Sequence, residues 1–88
     1  MEIEVWLYGR FRELATRRQI VTLDKGACLG DLAEWLIQSV GPEFGEELEK
    51  TKNYTLMRNQ RYCNLSADRD EFLRDGDIVA FLPLVAGG

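Results

Sequence analysis

Eighty-eight residues make one domain, and 45% hydrophobic with 30% charged residues is the balance of an ordinary globular chain with a modest core. A net charge of -4 argues against nucleic acid, which needs a basic face, and no apolar run approaches the ~20 residues of a membrane span, so a cytoplasmic setting without nucleic-acid or membrane partners is expected. Histidine is absent, and Cys28 and Cys63 alone cannot build a four-cysteine zinc or iron–sulfur site, so no catalytic residue, metal ligand or bound cofactor is expected.

Residues 2–8 alternate, with Ile3, Val5 and Leu7 on one face and Trp6 and Tyr8 on the other, which predicts a half-buried strand carrying exposed aromatics. Gly9 ends it, and residues 10–15 read as a short connection anchored by Phe11 and Leu14. Residues 19–23 form a second strand, paired with the first as a hairpin, and Asp24-Lys25-Gly26 is a turn. Leu29, Leu32, Ala33, Leu36, Ile37 and Val40 recur at helical spacing, so one amphipathic helix of about three turns follows. Cys28 occupies its N-cap, where serine or threonine would bond better and where a helix terminus can activate a thiol; a small apolar cap is the plainer reading. Gly41-Pro42 stops this helix, and Pro42 opens a second, shorter one through about residue 50. Its carboxylates Glu43, Glu46, Glu47 and Glu49 read as a solvated face.

Residues 54–58 make a third strand, Asn59-Gln60 a tight turn, and residues 61–63 a brief return strand that includes Cys63. Asp75-Gly76-Asp77 is a turn, after which Ile78 to Leu82 form the last strand, with Val79 and Phe81 on one face and Ile78, Ala80 and Leu82 on the other. This strand is strongly apolar and is expected at the centre of the sheet, parallel to the first. The fold class is therefore α+β, a mixed four- to five-stranded sheet packed on one main helix. Residues 1–82 make the domain and 83–88 a flexible tail.

The tail closes on Gly87-Gly88. Two residues without side chains leave the terminal carboxylate bare and let another protein approach closely, so a partner enzyme could thread it through a narrow channel.

The order of elements, the segment 75–81 and the tail Pro83-Leu84-Val85-Ala86-Gly87-Gly88 together resemble the sulfur-carrier proteins of the MoaD/ThiS type, with a ubiquitin-like β-grasp fold. Arg12-Glu13-Leu14 and Asn59-Gln60 resemble the molybdopterin-synthase small subunit in particular, whereas Pro83-Leu84 stands where such carriers often have two successive prolines. The resemblance implies a carrier rather than an enzyme. An ATP-dependent activating enzyme would adenylate Gly88, and sulfur from a persulfide would displace AMP to leave a thiocarboxylate. A synthase, such as the molybdopterin synthase large subunit, would then consume the sulfur. Gly87 would give clearance, Val85 and Ala86 would lie extended in the partner, and an apolar patch of Trp6, Tyr8, Tyr62 and Leu82 on the open sheet face would dock it. Alternatives are a carrier for thiamin or cysteine biosynthesis, a ubiquitin-like modifier conjugated to lysines, and a ubiquitin-fold interaction module with an inert tail.

Overall fold

The computed structural model describes residues 1–50 and 54–83. Along the chain run β1 (Glu2–Leu7), α1 (Arg10–Leu14), β2 (Arg18–Thr22), α2 (Leu29–Val40), α3 (Pro42–Lys50), β3 (Tyr54–Arg58), β4 (Arg61–Cys63) and β5 (Ile78–Pro83). They form one mixed sheet of order β2-β1-β5-β3-β4. β1 is antiparallel to β2 and parallel to β5, and β5 is antiparallel to β3. The last strand thus lies in the middle, as its unbroken apolar run requires: a central strand has neighbours on both sides and is covered by helices on one face. It runs one residue beyond Leu82, to Pro83.

Alternation fixes which side chains face the helices. Ile3, Val5 and Leu7 of β1, Val21 of β2, Leu56 of β3 and Val79 and Phe81 of β5 are buried against Leu29, Leu32, Ala33 and Leu36 of α2. Val21 is the inward residue of β2, and Ile20, opposite Glu4, stands 55% exposed on the other face. The expected strands shift slightly: β1 ends at Leu7 rather than residue 8, and β2 covers 18–22 rather than 19–23. The expected connection after β1 is in fact the short helix α1. Its five residues are too few for a periodic signal, and it is held by Phe11, which drops into the core.

Phe11 of α1, Phe44 of α3 and Phe81 of β5 meet with centroids 5.4 to 5.7 Å apart, tilted or edge-on. All three are essentially inaccessible. Such ring geometry adds about 0.5–1.5 kcal/mol per pair beyond burial, and here it ties both short helices to the strand that leads into the tail.

The start of α2 is completed from far along the chain. Its first free N–H groups would otherwise lack partners; those of Leu29 and Gly30 donate to the carbonyls of Glu71 and Arg69, both at 2.9 Å. A Cβ on Gly30 would lie 2.7 Å from Arg69 Cγ, so the absence of a side chain is what admits this close approach. Cys28 is the N-cap, and Asp31 returns to accept its backbone N–H at 2.9 Å and its thiol at 3.3 Å. Cys28 and Asp31 thus form a reciprocal capping box at the start of α2.

Replacing Phe44 with alanine should remove the keystone of the ring cluster and cost about 3–5 kcal/mol, read as a lowered urea midpoint; a loss below about 1 kcal/mol would mean the cluster can collapse around the void.

Candidate functional site

The face of the sheet turned away from the helices carries the candidate docking surface. The register places Trp6 opposite Ala80, Ala80 opposite Met57 and Met57 opposite Tyr62, one row running across β1, β5, β3 and β4. Beside it Leu82 lies opposite Thr55, and the Tyr8 N–H donates to the Phe81 carbonyl at 3.0 Å, which brings Tyr8 alongside the end of β5. An apolar groove of about 370 Å³ results, lined by Trp6, Tyr8, Met57, Asn59, Gln60, Ile78, Ala80 and Leu82.

Three of the four residues expected to dock a partner, Trp6, Tyr8 and Leu82, therefore share one groove. Trp6 and Tyr8 are half-buried rather than exposed, because each leans on its neighbours: their rings lie 6.4 Å apart, the Arg18 guanidinium covers Trp6 at 4.5 Å, and Arg17 stands 6.0 Å from the Tyr8 centroid. The Trp6 indole N–H donates to Glu4, which also holds Arg18 at 3.4 Å. Tyr62 shares the face but stands apart, 79% exposed on the edge strand β4 and outside the groove. Met57, Ile78 and Ala80 complete the wall. They were not among the expected docking residues, although the alternation of β5 already put Ile78 and Ala80 on the face of Leu82. Val85, Ala86, Gly87 and Gly88 lie outside the described residues.

One end of the groove is anchored by a polar knot. Asn59 and Gln60 both have positive φ, 51° and 69°, the paired left-handed turn that suits a two-residue hairpin between β3 and β4. The Asn59 N–H donates to the Ile78 carbonyl at 2.8 Å, and the Ile78 N–H returns a bond to Asn59 Oδ1 at 2.9 Å. Asn59 Nδ2 then donates to Asp77 at 2.8 Å. Asp77 is 6% exposed and also accepts from Arg58 Nε at 3.0 Å and from the Arg74 N–H at 2.8 Å. The remaining Arg58 donors reach Glu71 and the Phe72 carbonyl. Across the same turn the Gly76 N–H donates to the Glu2 carbonyl and the Glu2 N–H to Asp75, so the 75–77 segment fastens the start of β5 to β1 as well as to β3. Gly76 has φ 86°, a conformation open to glycine at little cost.

Burial pushes the Asp77 carboxyl up, but the Arg74 N–H, the Asn59 amide and the Arg58 guanidinium outweigh it and hold the group below the ordinary carboxylate value. Elsewhere, burial and then the nearby charges of Asp68 and Glu71 push the Cys63 thiol up, which opposes any nucleophilic use. On α3, Glu43, Glu46 and Glu49 are solvated as expected, whereas Glu47 is half-buried, 3.9 Å from Arg10.

The family model that matches this chain, over residues 5–88, is that of the ThiS family. No curated protein sequence matches it. Among solved structures it is similar to the small archaeal modifier protein SAMP1 of Haloferax volcanii, at 23% identity and TM-score 0.74 over 100% of both chains. It is also similar to a protein described as molybdopterin converting factor subunit 1 from Pyrococcus furiosus, at 29% identity and TM-score 0.66 over 96% of this chain and 98% of that one. A third likeness is to the complex of subunits 1 and 2 of molybdopterin-converting factor from Helicobacter pylori, at 22% identity and TM-score 0.65 over 100% of both chains.

The knot yields a test. Asp77→Ala removes the one carboxylate that accepts from Arg58 Nε, the Asn59 amide and the Arg74 N–H together, and should cost about 3 kcal/mol at neutral pH. Because folding lowers the Asp77 pKa, its ionic stabilisation is fully present above the unfolded value near 3.9 and fades as pH falls through the folded value. Urea titrations should therefore show the gap between wild type and Asp77→Asn open at pH 7 and narrow in acid; a gap independent of pH would contradict the assignment.

Proposed function

Since the chain belongs to the ThiS family, with the ubiquitin-like β-grasp fold of sulfur carriers and protein modifiers, we propose that it is a sulfur carrier whose working group is the carboxylate of Gly88 and whose sulfur goes to molybdopterin synthesis. The observation that carries this reading is the siting of the apolar groove: Leu82, the penultimate residue of β5, lines it, so the strand that leads toward Gly87-Gly88 is itself a wall of the docking surface. A protein seated on Trp6, Tyr8, Ala80 and Leu82 would have the tail delivered to it. Tyr62, higher on the same face, would extend the contact, and aromatic residues of this kind carry a large share of binding energy at interfaces.

The chemistry asked of the partners follows from the inertness of a carboxylate. Its negative charge repels nucleophiles and it has no good leaving group. An ATP-dependent adenylating enzyme would let the Gly88 carboxylate attack the α-phosphorus of ATP; pyrophosphate leaves and an acyl adenylate forms. A persulfide sulfur then attacks the carbonyl carbon and AMP leaves, giving an acyl disulfide. A thiol cleaves its S–S bond, and the thiocarboxylate remains on Gly88. ATP is thus the co-substrate of the partner. The carrier contributes the leash and the docking face, with Gly87 giving clearance and Val85 and Ala86 passing extended through the partner. A synthase large subunit would next take the same face and consume the sulfur.

The resemblance of Arg12-Glu13-Leu14, Asn59-Gln60 and Val79-Ala80-Phe81 to the molybdopterin-type carriers is what supports that branch over thiamin or cysteine synthesis. The second reading is a lysine-linked modifier, favoured by the shared activation step: the same acyl adenylate can be passed to an amine.

Incubation with the adenylating enzyme, ATP and a persulfide donor should replace one oxygen of Gly88 by sulfur, seen in the intact mass and lost on deleting Gly87-Gly88. An unchanged mass with an enzyme active on another carrier would overturn the proposal, and lysine-linked adducts in place of thiocarboxylate would transfer it to the modifier reading.

A further inference from the structure

Beside the apolar groove lies a second cleft, of about 300 Å³, lined by Trp6, Tyr8, Arg17 and Arg18. Trp6 and Tyr8 belong to both, so their rings form a common ridge between an apolar surface and a cationic one. The charge is local and runs against the whole. Arg10, Arg12, Arg17 and Arg18 fall within nine positions and supply four of the eleven cationic residues of a chain whose net charge is -4.

These arginines are not equivalent. Arg10 is engaged by Glu13 and Glu47, on the helices. Arg18 is positioned rather than neutralised: Glu4 holds it from one side and the Trp6 ring supports it at 4.5 Å, while its side chain remains 60% exposed. A guanidinium has five donors in a fixed fork, so one carboxylate leaves several unused. Arg17 rests beside Tyr8 and has no ion-pair partner among the described residues. Two guanidinium groups thus stand beside an aromatic floor with both heads exposed, so their attraction for a carboxylate is modest and screened by salt.

Resting on the reading that the open face is the docking surface, we propose that the Arg17–Arg18 cleft receives carboxylate side chains of the protein that docks there, so that this partner presents an acidic segment next to an apolar one. The shared ridge is the reason for choosing a protein over a small anion. An isolated anion would satisfy the arginines and leave the adjoining 370 Å³ groove uncovered, whereas one amphipathic surface fills both. Charges at the margin of an apolar patch steer encounter and fix orientation. Here they would seat the partner toward the Tyr8 end, where β5 gives way to the tail.

The test measures association of the full chain with the adenylating enzyme of the same organism, at about 50 and about 300 mM salt, two conditions that differ in screening length. Wild type should bind with a strong salt dependence. The double variant R17E/R18E should lose roughly tenfold or more in affinity at low salt, chiefly through the on-rate, and its salt dependence should flatten. Since Arg18 also contacts Glu4 and Trp6, Arg17→Glu is measured beside it with a thermal melt, and a loss at unchanged melting temperature supports the proposal. Ala80→Asp, in the groove floor, reports the docking face separately. If Ala80→Asp abolishes binding while R17E/R18E stays within about twofold of wild type at both salts, the acidic-partner inference falls and the docking face stands. If Ala80→Asp binds normally, the docking reading falls and takes this inference with it. Self-association that disappears in R17E/R18E would overturn the proposal in favour of a second copy, whose α3 offers Glu43, Glu46 and Glu49.

Discussion

A single buried carboxylate sets the geometry on which the open face of the sheet and its apolar groove depend. Asp77 collects the Arg58 guanidinium, the Asn59 amide and the Arg74 N–H immediately before β5 begins, and Asn59 in turn clasps both polar groups of Ile78. In a strand the side-chain period is two, so a slip of one residue would exchange the faces of β5, sending Val79 and Phe81 outward and Ile78, Ala80 and Leu82 into the core. Hydrophobicity alone resists such a slip weakly in β5, because both of its faces are apolar. Here the polar contacts supply the register: Asn59 can bond both groups of Ile78 only in the observed alignment.

At the other end the control is apolar. Phe11 and Phe44 press on Phe81, one residue before Leu82 of the groove. β5 is therefore fixed at its entry by hydrogen bonds and near its exit by ring packing, while its outward side chains stay available. The two faces of one strand thus differ in what they do: Val79 and Phe81 fill the core, while Ile78, Ala80 and Leu82 line the groove. An outward residue such as Ala80 can be changed without opening a cavity, whereas Phe81 cannot.

Much of this was legible in the sequence because the relevant signals are periodic. The alternation of Ile3, Val5 and Leu7, the helical spacing from Leu29 to Val40, and the apolar run after Asp75-Gly76-Asp77 each report a face buried in one direction, and together they imply the central parallel strand. The short helix α1 escaped because five residues hold little more than one turn, and Phe11 in the core stabilises it more than any local preference does. Tyr62 was grouped with Trp6, Tyr8 and Leu82 on the strength of family resemblance and shared face. Distance across the sheet, which sequence spacing does not encode, puts it on the margin. The Arg58–Asp77 pairing joins residues far apart in the chain and leaves no local trace. Arg17 and Arg18 carry no periodic signal, and only the pairing of β1 with β2 lays Arg18 over Trp6. The resemblance to sulfur carriers supplied what periodicity never could, a chemistry for the terminal glycines.

The strand at the centre of this sheet is the last in chain order among the described residues. Until Ile78, Ala80 and Leu82 leave the ribosome, β1 and β3 have no common neighbour, α2 lacks the distant carbonyls that finish its first turn until residues 69–71 emerge, and the groove has no floor. Pairing across so long a separation comes late in folding, since the intervening loop must be closed before the contacts repay it. A nascent or clipped chain that stops short of β5 therefore lacks the groove. The groove is thus a property of the finished sheet rather than of any local segment, and it reports, in its shape alone, that β5 has been inserted between β1 and β3.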